Sequence, residues 1–188
     1  MKHYRVISAD SHAVEPPDLW QQYLPQAYTD RGPRVISESH EDIWVCEGMP
    51  SHVAKRPMGA VAKNHSKAYA AAAEGNKRYA TDTNDWHPDA RVEYMRQDGV
   101  DAEVLYPNYA MRAFGIPNKD LQQAVCQAYN YWLSDFCGTY PQELFGIAVV
   151  AAFDVDWAIQ ECRRAKEKGI VGVLLPQDTP DGSRYSAA

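Results

Sequence analysis

Two side chains of the Asp10-Ser11-His12 triplet are of the types that share a metal ion. In extended backbone, residues i and i+2 point to the same side, so a carboxylate oxygen of Asp10 and an imidazole nitrogen of His12 can converge on one cation. A borderline divalent ion such as Zn²⁺ or Mn²⁺ accepts that mixed oxygen and nitrogen set. It would activate water, or hold a substrate carboxylate while negative charge develops beside it. The structural alternative is that Asp10 caps the following turn and His12 bonds a neighbouring backbone group. Asn108 and Gln177 each follow an apolar, strand-like run and could bond a substrate carboxylate or satisfy their own loops. Arg112 carries a guanidinium fork that matches a carboxylate, with an exposed cap or interface charge as its other reading. His52 and His65 lie in an irregular stretch from which they could face a substrate. Trp20, Trp44 and Trp86 could wall a pocket, although core packing is the commoner role of such side chains.

These groups need elements to hold them. Tyr4 to Ala9 reads as a strand that ends against the polar triplet, and Pro17 can open a short helix running to about Leu24. Residues 25–89 read as an insertion, with a hairpin from 34–39 and 42–48 and a short helix on the alanine run Tyr69 to Ala73. Order returns with a helix from Pro88 whose face holds Val92 and Met95, and Gly99 is placed to end it in a left-handed conformation. A strand follows at 102–106. Asn118 caps a longer helix with Leu121, Val125, Ala128, Tyr129, Trp132, Leu133 and Phe136 in helical period, closed near Gly138. Residues 144–150 are nearly all apolar, as in a parallel strand buried on both faces. Asp154 or Asp156 caps a third helix with Ala158, Ile159, Cys162 and Ala165 inward, and 170–175 reads as another buried strand.

A strand repeatedly followed by a helix implies a parallel sheet, either doubly wound and open or the first half of a (β/α)₈ barrel. No Gly-x-Gly-x-x-Gly or other phosphate-cradling loop follows any strand, which weakens the nucleotide-binding form of the open sheet. A formal net charge of −6, without a run of Lys and Arg, argues against a nucleic-acid partner. No stretch approaches the about 18 uninterrupted apolar residues of a membrane span, and the chain reads as cytoplasmic. Four irregularly spaced cysteines, 46, 126, 137 and 162, form no CxxC, and Cys126 and Cys162 fall on apolar helical faces as small hydrophobes.

The blocks SADSHAVEPPDLW at 8–20, RVEYMRQDGVDAEVLYP at 91–107, YNYWL at 129–133 and AKEKGIVGV at 165–173 occur in this order. In them the chain resembles the amidohydrolase-related enzymes of the aminocarboxymuconate-semialdehyde decarboxylase type. That resemblance implies a distorted (β/α)₈ barrel with one divalent metal ion, zinc or manganese, and a small, often aromatic or unsaturated, carboxylic acid as substrate. It makes Asp10 and His12 the first-strand metal ligands, and places the others on a histidine after strand five and an aspartate after strand eight. Residues 1–188 hold about four of eight strands, whereas a whole barrel takes about 250 residues. His3, His40, His52, His65 and His87 do not match the missing histidine's context. Three expectations follow: a second polypeptide completing the barrel, self-association of half-barrels, or an inactive half-barrel serving as an accessory subunit. Decarboxylation and hydrolysis are not separated by these residues.

Overall fold

The computed structural model describes residues 3–54 and 86–177. Four strands, β1 (Ile7–His12), β5 (Ala102–Tyr106), β6 (Leu144–Val149) and β7 (Gly172–Leu174), form one sheet in the order β1-β5-β6-β7, every pairing parallel. Helices alternate with them: α1 (Leu19–Tyr23), α2 (Pro88–Asp98), α3 (Lys119–Gly138) and α4 (Val155–Glu167). Neighbouring parallel strands joined by helices make a partial, distorted (β/α) barrel, the architecture expected. Between β1 and β5 the chain builds a second, antiparallel sheet from β2 (Arg34–Ser37), β3 (Asp42–Val45) and β4 (His52–Val53). Its first two strands are the anticipated hairpin, and β4 is an addition. The alanine run at 69–73 and His65 lie outside the described residues.

The core sits between α3 and the parallel sheet. Leu121, Val125, Ala128, Tyr129, Trp132, Leu133 and Phe136 are all buried, as their period required. Gly146 lets α3 approach β6, since a Cβ there would come within 2.8 Å of Leu133 and Ile170 side-chain atoms. Both caps are made by side chains: Asn118 Oδ1 accepts from Leu121 N at 2.9 Å, and Asp154 Oδ1 from Trp157 N at 3.0 Å, which settles the choice between Asp154 and Asp156. Gly99, at φ +73°, ends α2, and the next amide, Val100 N, reaches back to Met95 O at 2.8 Å. Trp20 and Trp44 are core residues. Trp44 stacks on Tyr109 with centroids 4.2 Å apart, and Trp20 meets both rings edge-on at 5.5 Å. These contacts fasten the antiparallel sheet to the 3₁₀ turn Tyr109–Gly115 that follows β5.

Three expectations are corrected. The first strand runs through the polar triplet instead of stopping at Ala9, because its pairing with β5 continues to His12 opposite Tyr106. Ile159 does not point inward: it is 43% exposed, while Glu161, 2% exposed, takes the inward position. A polar network holds Glu161 there, with Asn130 Nδ2, Gln127 Nε2 and the Arg164 guanidinium all donating to its carboxylate. The last strand is shorter than 170–175 and is not buried on both faces. Val171, Val173 and Leu175 are exposed, since among the described residues β7 pairs with β6 alone.

Candidate metal centre

Between the pairs Ser8↔Glu103 and Ser11↔Leu105 two residues of β1, Ala9 and Asp10, oppose one of β5, Val104, so β1 carries a bulge there. The Ser8 and Ser11 hydroxyls bond across it at 2.8 Å, although a regular strand would put positions three apart on opposite faces. Bulges re-aim side chains, and this one falls in the segment that presents Asp10 and His12. Asp10 is exposed and His12 half-buried, one residue apart at the C-terminal end of the strand.

Local bonds fix His12 at two points. Its Nδ1 lies 3.0 Å from the carbonyl oxygen of Pro107, which has no proton to give, so Nδ1 carries the hydrogen and, in the neutral ring, Nε2 keeps its lone pair. A ring held this way by a backbone carbonyl is the usual arrangement of a metal-binding histidine. The main-chain oxygen of His12 accepts from Arg91 Nη1 at 2.8 Å. Arg91, on α2 and only 4% exposed, is itself held by Glu103 on β5, Nε to Oε2 at 2.6 Å. The Tyr106 ring lies beside His12, centroids 6.3 Å apart.

Glu15 is the neighbour whose part was not foreseen. It is fully buried and Oε1 accepts from the backbone amides of Asn108, at 3.0 Å, and Ala110, at 2.9 Å. Burial pushes its carboxyl above the ordinary carboxylate range, and these amide bonds oppose that shift. The available signal was an acid set between Ala13-Val14 and Pro16-Pro17, where an unpaired carboxylate would be costly.

The remaining candidates lie on other segments of the fold than His12 and Glu15. Asn108 follows β5, but the bond tying it to Glu15 comes from its backbone. Arg112 is half-buried in the 3₁₀ turn. Gln177 is exposed beyond β7, at the same end of the parallel sheet as His12. His52 is exposed on β4, opposite Trp44 in the antiparallel register. Trp86 is half-buried. Among the described residues no group of three or more His, Cys, Asp or Glu side chains is arranged to hold a metal ion. Asp10 and His12 therefore offer two donors, where a catalytic zinc site normally has three protein ligands. Within that limit the residues fit a divalent ion, on the chemistry of the donor pair and the bonded Nδ1 of His12.

A sequence profile of the amidohydrolase family matches residues 10–188. In fold the chain is similar to the crystal structure of an amidohydrolase from Mycobacterium avium subsp. paratuberculosis K-10, with a TM-score of 0.72 at 19% identity over 96% of this chain and 51% of that one. It is also similar to 2,6-dihydroxybenzoate decarboxylase from Rhizobium, with a TM-score of 0.49 at 16% identity over 97% of this chain and 42% of that one. A dihydroxybenzoic acid decarboxylase from Polaromonas sp. JS666, solved with bound manganese and the inhibitor 2-nitroresorcinol, gives a TM-score of 0.48 at 18% identity, over 92% and 38% of the two chains. The chain spans about half the length of these solved relatives, or less. No curated protein matches it.

Proposed function

The chain belongs to the amidohydrolase family, and from that membership we propose that it carries the first-strand part of a mononuclear metal site in a decarboxylase or hydrolase acting on a small carboxylic acid, aromatic acids included. The observation that carries this reading is the bond from His12 Nδ1 to the Pro107 carbonyl, which leaves Nε2 as a donor at the C-terminal end of β1, where barrel enzymes gather their reactive groups. Asp10 and His12 are the two ligands contributed here, and zinc or manganese is the ion they suit. When bound, that ion supplies Lewis-acid stabilisation of negative charge developing on the substrate.

The chain's own residues do the rest of the work assigned to this half. Arg91 and the Pro107 carbonyl keep His12 in one orientation. Asn108, Arg112 and Gln177, all carried beyond the C-terminal ends of the parallel strands, bind and orient the substrate carboxylate. Further ligands come from polypeptide outside the four parallel strands. A further strand has a place to join, since among the described residues β7 pairs with β6 alone, and Val171, Val173 and Leu175, spaced two apart, leave an apolar face at that edge uncovered.

Calorimetric titration of the 188-residue chain with Zn²⁺ and Mn²⁺ tests the reading. The chain is expected to bind one ion, and His12→Ala and Asp10→Ala are each expected to weaken binding by more than about tenfold, at least the loss an outer-shell partner causes. Binding that is absent, or unchanged in both variants, would contradict it.

A further inference from the structure

The peptide group joining Pro107 to Asn108 is held at both ends by the segment that leaves β1. Its C=O accepts from His12 Nδ1 at 3.0 Å, and its N–H donates to Glu15 Oε1 at 3.0 Å. In a trans peptide these two groups point in opposite directions within one rigid plane, so a rotation that breaks one bond breaks the other. The flanks are fixed as well: Ala13 N donates to Tyr106 O at 2.8 Å, and Ala110 N to the same Glu15 oxygen at 2.9 Å. Glu15 is fully buried, so water does not compete for these amides. A peptide that donates at its N–H is also polarised into a better acceptor at its oxygen.

We propose that Glu15 is a positioning residue which, acting through the Pro107–Asn108 peptide, holds His12 in the Nδ1–H tautomer and so keeps Nε2 as the donor atom of the ring. A carboxyl oxygen accepts from both amides in either protonation state, so the device does not depend on the charge of Glu15. A merely structural Glu15, bracing the 3₁₀ turn, would alter the melting temperature and leave the His12 tautomer untouched. The consequence for metal affinity rests on the reading of His12 as a ligand, whereas the consequence for the tautomer does not.

The test is ¹⁵N NMR of the histidine-labelled 188-residue chain at a pH where imidazoles are neutral, with the His12 signals assigned by their loss in His12→Asn. The native chain is expected to show Nδ1–H. Glu15→Gln keeps an accepting oxygen and should keep that tautomer. Glu15→Leu removes the acceptor and should shift His12 toward Nε2–H, with Zn²⁺ affinity falling about 10–100-fold and a cooperative melt showing that the variant is folded. Glu15→Met, closer in length to the native side chain, serves if Glu15→Leu does not fold. A native Nε2–H tautomer, or a folded Glu15→Leu or Glu15→Met chain whose His12 stays Nδ1–H, would overturn the proposal. A tautomer that shifts in a chain binding no metal would uphold the role of Glu15 and remove the metal reading instead.

Discussion

Three thiols show what enclosure does to protonation at single positions. Loss of hydration pushes Cys46 up to about 11, with the nearby Glu47 charge adding to it, and pushes Cys137 up to about 12. Cys126, fully buried, is raised further still. A group whose folded pKa is raised keeps its proton in the native state after the unfolded chain has lost it, so its contribution to stability is intact below the ordinary value of 9.0 and disappears as pH climbs through the raised one. The buried phenols of Tyr109 and Tyr129 are shifted in the same direction by the same cause. Thermal melts should therefore show a melting temperature that falls steadily from pH 9.0 to about 11; a flat profile would mean that these side chains are wetter than the fold shows. Cys126 could be read as a core residue from the apolar helical face it falls on, whereas Cys162, read the same way, is only half-buried. Type and spacing suggest a shared ion for Asp10 and His12, but the bonds of Glu15 could not be read. Its partners, Asn108 and Ala110, are 93 and 95 residues away, and that pairing exists only once β1 and β5 lie side by side.

Among the elements, α3 was legible because its apolar residues keep a 3.6-residue period behind the Asn118 cap, although the burial of the polar Gln122, Asn130 and Ser134 was not. The helix α4 was legible in extent but not in facing. Its inward position is taken by Glu161, whose bonds to Asn130, Gln127 and Arg164 replace the apolar contact that Ile159 seemed to offer by pattern. Burial raises the Glu161 carboxyl, and those donors, Arg164 first, outweigh it and bring the pKa below the ordinary range. The bulge in β1 was invisible for another reason: nothing in SADSH marks an extra residue, and the register is imposed by β5. The antiparallel sheet depends on Trp44, 2% exposed and stacked on Tyr109. Trp44→Ala should cost about 3–5 kcal/mol in chemical denaturation. It should also free the turn after β5, so that amide exchange at 109–115 accelerates by more than the exchange of α3. Equal acceleration in both would show that the sheet does not anchor the turn.

At the scale of the whole molecule, β1 and β7 are the outer strands of the parallel sheet among the described residues, and exposed apolar side chains lie on or beside both, Val6 and Ile7 at β1 and Val171, Val173 and Leu175 at β7. Such edges recruit another strand. The alternation of strands and helices made the fold class readable, yet β7 was expected to be covered on both faces, because a sequence records how apolar a strand is and not what lies beside it. A charge on the edge should suppress association. Val173→Lys, at a position 41% exposed, is expected to lower the apparent mass in sedimentation at high concentration without lowering the melting temperature by more than a degree or two. Unchanged sedimentation would move the contact elsewhere. No helix among the described residues is long and apolar enough to cross a membrane.

The central claim is that Asp10 and His12 are ligands of a divalent ion in a barrel that these strands do not close by themselves. Native mass spectrometry of the gently purified 188-residue chain, read for subunit masses and bound metal together, addresses both halves of it. The expected result is an assembly that retains about one zinc or manganese ion and loses it in His12→Ala. A metal-free monomer of 21.2 kDa that takes up no added ion would contradict it.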